Sequence, residues 1–130
     1  MAIVILDASV VIAFRNPGDA HHDRAVASLA SHAKDTLVLP TSAYAEALVA
    51  PYRIGDLEVA SLEAFISDLP VRVEPISAEI AHAAARLRAR HRSLRLPDAL
   101  VIATGEVLEA AVVLTADAAW TKISKRARVI

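Results

Sequence analysis

The 130-residue chain contains no cysteine and only three glycines, and it has no apolar run near the roughly 18 residues that cross a bilayer. Without cysteine there are no disulfides, thiolate metal sites or cysteine nucleophiles, so any metal must be held by oxygen or imidazole. Scarce glycine, with no repeat and no low-complexity stretch, gives no sign of a linker, and the length fits one domain spanning residues 1–130. The opening stretch from Met1 to Phe14 lacks a basic flank and is interrupted by Asp7, so neither a secretory leader nor a membrane anchor is expected. A reducing cytoplasm is the expected location. A net charge of −1 denies the chain the global basicity of proteins that hold nucleic acid by charge alone, so a nucleic-acid partner needs a local patch. At 55% hydrophobic residues the chain is apolar for its size, and some of that surface is expected to be covered by a partner, first of all a second copy.

Apolar runs at Ile3 to Leu6, Leu37 to Leu39, Val71 to Val73, Val112 to Leu114 and, more weakly, Arg128 to Ile130 read as strands, with helical patterns between them. Asp19 to Ala33 is Ala-rich and follows Pro17-Gly18. Ser42 to Tyr52 follows Pro40, with Thr41 and Ser42 as hydroxyl caps, and Asp56 caps a helix that ends near Pro70. Within that helix Val59, Leu62, Phe65, Ile66 and Leu69 read mainly as core. From Ser77 onward Ile80, Ala83, Ala84 and Leu87 form one apolar stripe. Pro97 then stands at a first helical position, ahead of Leu100, Ala103, Thr104, Val107 and Leu108. Short continuous strands separated by helices predict a three-layer α/β/α sandwich with a central, mainly parallel sheet of four to five strands.

In such a sheet ligands gather beyond the carboxyl ends of the strands, and four acids stand at positions that can reach that edge. Asp7 directly follows the first apolar run, Glu46 sits early in the helix after the second, Asp98 follows Pro97, and Asp117 follows the fourth run through Thr115-Ala116. Each has an ordinary explanation: Asp7 and Asp117 as helix caps, Asp98 as a charge favourable to a helix N-terminus, Glu46 as a solvated helix residue. Together they are harder to dismiss. Two carboxylates about 4 Å apart repel by roughly 4 kcal/mol at an effective dielectric near 20, so a cluster requires protons or cations. All-oxygen ligation without cysteine points to Mg²⁺ or Mn²⁺, each keeping several waters. The natural chemistry is phosphodiester hydrolysis, with an activated water attacking in line and no Ser, Cys or Lys nucleophile.

Asp7-Ala8-Ser9, Glu46 within Tyr44-Ala45-Glu46-Ala47-Leu48, Leu96-Pro97-Asp98-Ala99 and Thr115-Ala116-Asp117-Ala118-Ala119-Trp120 resemble, in order, the motifs of PIN-domain ribonucleases. The size and the Pro-Asp-Ala helix start are most similar to VapC-type toxins of bacterial toxin–antitoxin pairs. The resemblance implies a Mg²⁺-dependent endoribonuclease acting on structured or transfer RNA, usually a homodimer, inhibited by a cognate VapB-type antitoxin. It implies Asp7 and Asp98 as direct metal ligands and Glu46 and Asp117 as completing the acidic pocket, directly or through waters. Ser9 and Thr115 would support by hydrogen bonding. Trp120 departs from the more usual Phe, a change expected to alter packing and not chemistry.

Between Ile80 and Pro97 five arginines accumulate without an acid, and as one continued helix Arg88, Arg92 and Arg95 would share a face, making them candidate RNA contacts beside Asp98. Arg15, after the Asp7 turn, is a further candidate. Lys122, Lys125, Arg126 and Arg128 read mainly as a solvated basic tail. His21-His22 is a poor chelate because neighbours on a helix diverge. The rival readings are a PIN nuclease that is not a toxin, a PIN scaffold without catalysis, and a receiver or haloacid-dehalogenase-like Mg²⁺ domain. The last fits poorly, because Ser9 occupies the place of a dehalogenase's second Asp and Glu74-Pro75 that of a receiver's phosphoacceptor.

Overall fold

Consecutive residues of a strand point to opposite faces of its sheet, and Val4, Ile5 and Leu6 are all fully buried, as are Val38 and Leu39. Both faces of the sheet are therefore covered, which is what continuous rather than alternating apolar strands require. The computed structural model describes residues 1–130 and follows β1 (Ile3–Leu6), α1 (Ala8–Arg15), α2 (His22–Ser31), β2 (Thr36–Pro40), α3 (Thr41–Ile54) and α4 (Asp56–Asp68). It continues with β3 (Arg72–Glu74), α5 (Ala78–Arg90), α6 (Leu96–Val107), β4 (Val112–Thr115), a short 3₁₀ helix at Ala118–Lys122 and β5 (Ala127–Val129). All five strands are parallel, in the order β3-β2-β1-β4-β5. β1 is central, with Ile5 beside Val38 of β2 and Val113 of β4. After β1 the chain builds outward through β2 and β3, then returns to the other side of β1 as β4. The carboxyl ends of β1 and β4 thus flank the point where the strand order reverses, the usual place for a ligand crevice.

The expected alternation of strands and helices is present, and the differences lie at element ends. α2 starts at His22, because Asp19 is engaged in a turn in which its Oδ1 accepts from the His21 N–H at 2.8 Å. α3 begins directly after Pro40, whose φ of −59° and ψ of 145° launch the helix with no side-chain cap, so Thr41 and Ser42 lie inside it and not at its cap. α4 is entered from Gly55, at φ 149°, and Asp56 supplies charge to the first turn instead of capping it. Ser77 does cap α5, accepting from the Ile80 N–H at 3.1 Å. α5 ends at Arg90, so Arg88 alone of the three arginines is helical: Arg92 lies in the following loop and Arg95 is the N-cap of α6. The shared helical face expected for Arg88, Arg92 and Arg95 does not exist.

α6 is buried almost all round rather than along one stripe, with Ala99 and the run from Val101 to Gly105 inaccessible. Close approach to the sheet explains Gly105: a Cβ there would fall 2.5 Å from Cγ2 of Val113 on β4. Gly105→Ala is therefore expected to cost about 1–3 kcal/mol through overpacking, read from urea denaturation midpoints. A variant as stable as the parent would mean that α6 can back away from the sheet freely.

Candidate active site

Asp7 is only 7% exposed, an unusual burial for a carboxylate. As the N-cap of α1 it accepts from the Ala8 N–H through Oδ1 at 2.8 Å. Its Oδ2 accepts from Ser9 Oγ at 2.7 Å and from Thr115 Oγ1 at 3.0 Å, the latter reaching across from the end of β4. Both hydroxyls are tied in turn, Ser9 Oγ accepting from the Ala116 N–H at 3.0 Å and Thr115 Oγ1 from the Asp117 N–H at 3.1 Å. The Asp7 N–H itself donates to the Leu114 carbonyl at 3.0 Å. Asp117 caps the 3₁₀ helix, accepting from the Ala119 N–H at 2.9 Å. The ordinary capping roles of Asp7 and Asp117 are thus both real, and they coexist with convergence of the acids.

Asp7, Ser9, Glu46, Asp98 and Asp117 line one open hollow of about 350 Å³, together with Ile12, Arg95 and Trp120. Four carboxylates from four separate stretches of chain meet one cation there, Arg95. Burial first, then the neighbouring Asp98 charge, raises the Asp7 carboxyl above its ordinary range, against the lowering effect of its Ser9, Thr115 and Ala8 donors. Glu46 is also raised, by burial and then by Asp7 and Asp98, with Arg95 acting the other way. Negative charge is therefore under-compensated in the hollow. No three acidic or imidazole groups close into a cage that grips an ion unaided, yet the donor set fits a hard dication that keeps several waters and is bound through one or two carboxylates.

Arg95 stands in the hollow with two bonds to Asp98, from Nε to Oδ2 at 3.4 Å and from Nη2 to Oδ1 at 3.3 Å. The other arginine candidates lie elsewhere. Arg15 faces an adjoining hollow that shares Ile12, where its Nη2 donates to Ser61 Oγ at 3.1 Å and lies 3.7 Å from Glu58 Oε2. Arg88 and Arg92 are exposed outside the acidic hollow. Ile12 was not anticipated in the wall; its spacing of four from Ala8 along α1 is the signal that could have found it. Trp120 is 2% exposed and forms part of that wall, with its indole Nε1 buried and no hydrogen-bond partner within the protein. The basic tail is partly structural: Arg126 Nε donates to the Ala110 carbonyl at 2.8 Å, and Arg128 Nη1 to the carbonyls of Lys125 and Ala127. His22 Nδ1 lies 2.8 Å from the Ala13 carbonyl, joining α2 to α1.

A carboxyl that binds its proton more tightly in the folded chain than in the unfolded one weakens the fold when ionised, and the weakening fades as pH falls through the raised value. Without divalent metal, Asp7→Asn is expected to melt above the parent near pH 7, with the gap closing toward about pH 4. Thermal scans in EDTA across that range check it. A lower melting temperature at neutral pH would show that the three donors to Asp7 outweigh its burial.

The PIN domain family model matches residues 4–126. Among solved structures, VapBC2 from Rickettsia felis, bound to a DNA fragment from its promoter, aligns at 17% identity over 98% of each chain with a TM-score of 0.80. VapC20 of Mycobacterium tuberculosis, a toxin that cleaves the sarcin-ricin loop, aligns at 23% identity over 92% of this chain and 93% of that one, with a TM-score of 0.78. FitAcB from Neisseria gonorrhoeae aligns at 20% identity over 98% and 96%, with a TM-score of 0.77. Identities this low establish the shared fold and leave substrate to the chemistry of the site. No curated protein sequence matches the chain.

Proposed function

Because the chain belongs to the PIN domain family, we propose that it is a single PIN domain acting as a Mg²⁺-dependent endoribonuclease, the toxin of a VapBC-type toxin–antitoxin pair. The observation that carries this reading is the gathering of Asp7, Glu46, Asp98 and Asp117 around one hollow at the carboxyl edge of the sheet, with a single arginine against four carboxylates. Asp7 and Asp98 would hold the metal directly, and Glu46 and Asp117 would complete the site directly or through ordered water. Bound Mg²⁺, or Mn²⁺ in its place, would acidify a water and offset charge on the phosphate oxygens.

The chain's own residues supply the rest. Ser9 and Thr115 fix the Asp7 carboxylate in one orientation, so a ligand meets it without reorganisation. Glu46 and Asp117 are exposed at the rim, where they can orient water beside the scissile phosphate and take up its proton. The hollow is open to solvent, as an RNA strand requires, and Arg95 is the arginine placed to meet a phosphate within it. Arg88 and Arg92 are left as contacts for RNA further along the strand, and Arg15, engaged with Glu58 and Ser61, is the weakest of these candidates.

A protein partner is supported by apolar side chains left exposed on α3 and α4, namely Val49, Tyr52, Ile54 and Leu57. A cognate VapB-type antitoxin and a second copy of the chain are the partners proposed. The likeness to VapBC2 and to the toxin–antitoxin complex of Klebsiella pneumoniae accords with the first. The site of action proposed is the cytoplasm; no helix is long and apolar enough to cross a membrane.

EDTA is expected to abolish cleavage of total RNA and Mg²⁺ or Mn²⁺ to restore it. Asp7→Ala or Asp98→Ala should lower the rate by roughly a hundredfold or more, since even supporting groups of a metal site are worth 10–100-fold, while circular dichroism shows a folded chain. Undiminished cleavage by a folded double variant would overturn the assignment.

A further inference from the structure

Arg95 is the only cation in the wall of the acidic hollow, and its guanidinium spans both oxygens of Asp98. Its backbone is fixed as the N-cap of α6, with its carbonyl accepting from the Ala99 N–H at 3.0 Å. The side chain faces solvent: it is 75% exposed, whereas that of Asp98 is 14% exposed. Both bonds, at 3.3 and 3.4 Å, are longer than the 2.7–2.9 Å of a strong charge-assisted pair. Such an exposed, stretched pair is readily exchanged. A dication taking Asp98 would remove the arginine's partner and repel its charge, while a phosphate arriving in the hollow offers the planar fork a matched pair of oxygens.

We propose that Arg95 is an exchangeable counter-ion: it neutralises Asp98 when no metal is bound, and it transfers to a phosphate of the substrate strand when a dication takes its place on Asp98. The proposal rests on the metallonuclease reading of the same hollow and adds how metal and substrate are coupled there. Metal displaces Arg95 toward the phosphate, and phosphate draws Arg95 off Asp98, so each favours the binding of the other. The same residue thereby holds down the affinity of the RNA-free protein for metal and raises the affinity of the metal-loaded protein for RNA.

Mn²⁺ titrated by calorimetry into the full chain without RNA, at fixed ionic strength, tests the first half, using the parent, Arg95→Ala and Arg95→Lys. Arg95→Ala is expected to bind Mn²⁺ about fivefold more tightly, the lower end of ordinary site-to-site coupling. Arg95→Lys, which keeps the charge, should stay near the parent. A purely structural role at the start of α6 predicts the opposite sign, weaker Mn²⁺ binding by Arg95→Ala. The second half is read from steady-state RNA cleavage at saturating Mn²⁺: KM should rise roughly tenfold in Arg95→Ala and stay raised in Arg95→Lys, which lacks the fork. Unchanged or weaker Mn²⁺ binding by Arg95→Ala, or an unchanged KM, overturns the exchange and leaves the nuclease reading standing. A parent chain that binds no Mn²⁺ and cleaves no RNA sinks both.

Discussion

The Asp7 carboxylate lies where the sheet makes burial unavoidable, at the end of its central strand, and three donors make that position tolerable. Ala8, Ser9 and Thr115 satisfy its oxygens, and two of those donors are themselves anchored to the backbone beyond β4. The ends of β1 and β4 are therefore joined through a charged group as well as through the Asp7 to Leu114 backbone bond. Burial still prevails over these donors in setting the proton affinity of Asp7. The same pattern extends across the hollow: Glu46 is raised by its own burial first and then by the charges of Asp7 and Asp98, and the one arginine there is bonded to Asp98.

Much of this was readable along the chain because parallel-sheet topology converts sequence position into spatial position. Each strand begins and ends within a residue of the apolar run that marks it, and an acid just past β1 or β4 must fall at the same edge. Asp98 was legible through Pro97, although α6 starts at Leu96, one residue ahead of the proline expected to open it. Helix ends were harder. Asp19, Thr41, Ser42 and Asp56 all carry capping chemistry, yet the turns that precede those helices, set by Asp19 itself, Pro40 and Gly55, decided where they begin. Local side-chain preference is worth about 1 kcal/mol at such positions, less than the tertiary packing that places the adjoining strand.

The arginine run shows a different limit. Five arginines without an acid look like one basic surface, but the helix stops at Arg90, and a five-residue connection sends Arg92 and Arg95 to separate places. Only Arg95 reaches the hollow, because it is the residue whose backbone opens α6 beside Asp98. Nothing in the spacing alone separates it from Arg88 or Arg92. Trp120 is similar: a bulky residue after the Asp117 turn reads as packing, and only the closed fold shows it walling the acidic hollow with an unpartnered indole nitrogen.

The hydroxyls of Ser9 and Thr115 have their single hydrogens turned toward Asp7 and a lone pair already taken by a backbone N–H. This gives the small network a direction. Neither hydroxyl is free to ferry a proton away from the carboxylate toward the protein interior, so the inner side of Asp7 is insulated from acid–base traffic. Any proton that Asp7 takes up or gives back must then pass through the cleft, the one side of the carboxylate that faces away from the two hydroxyls.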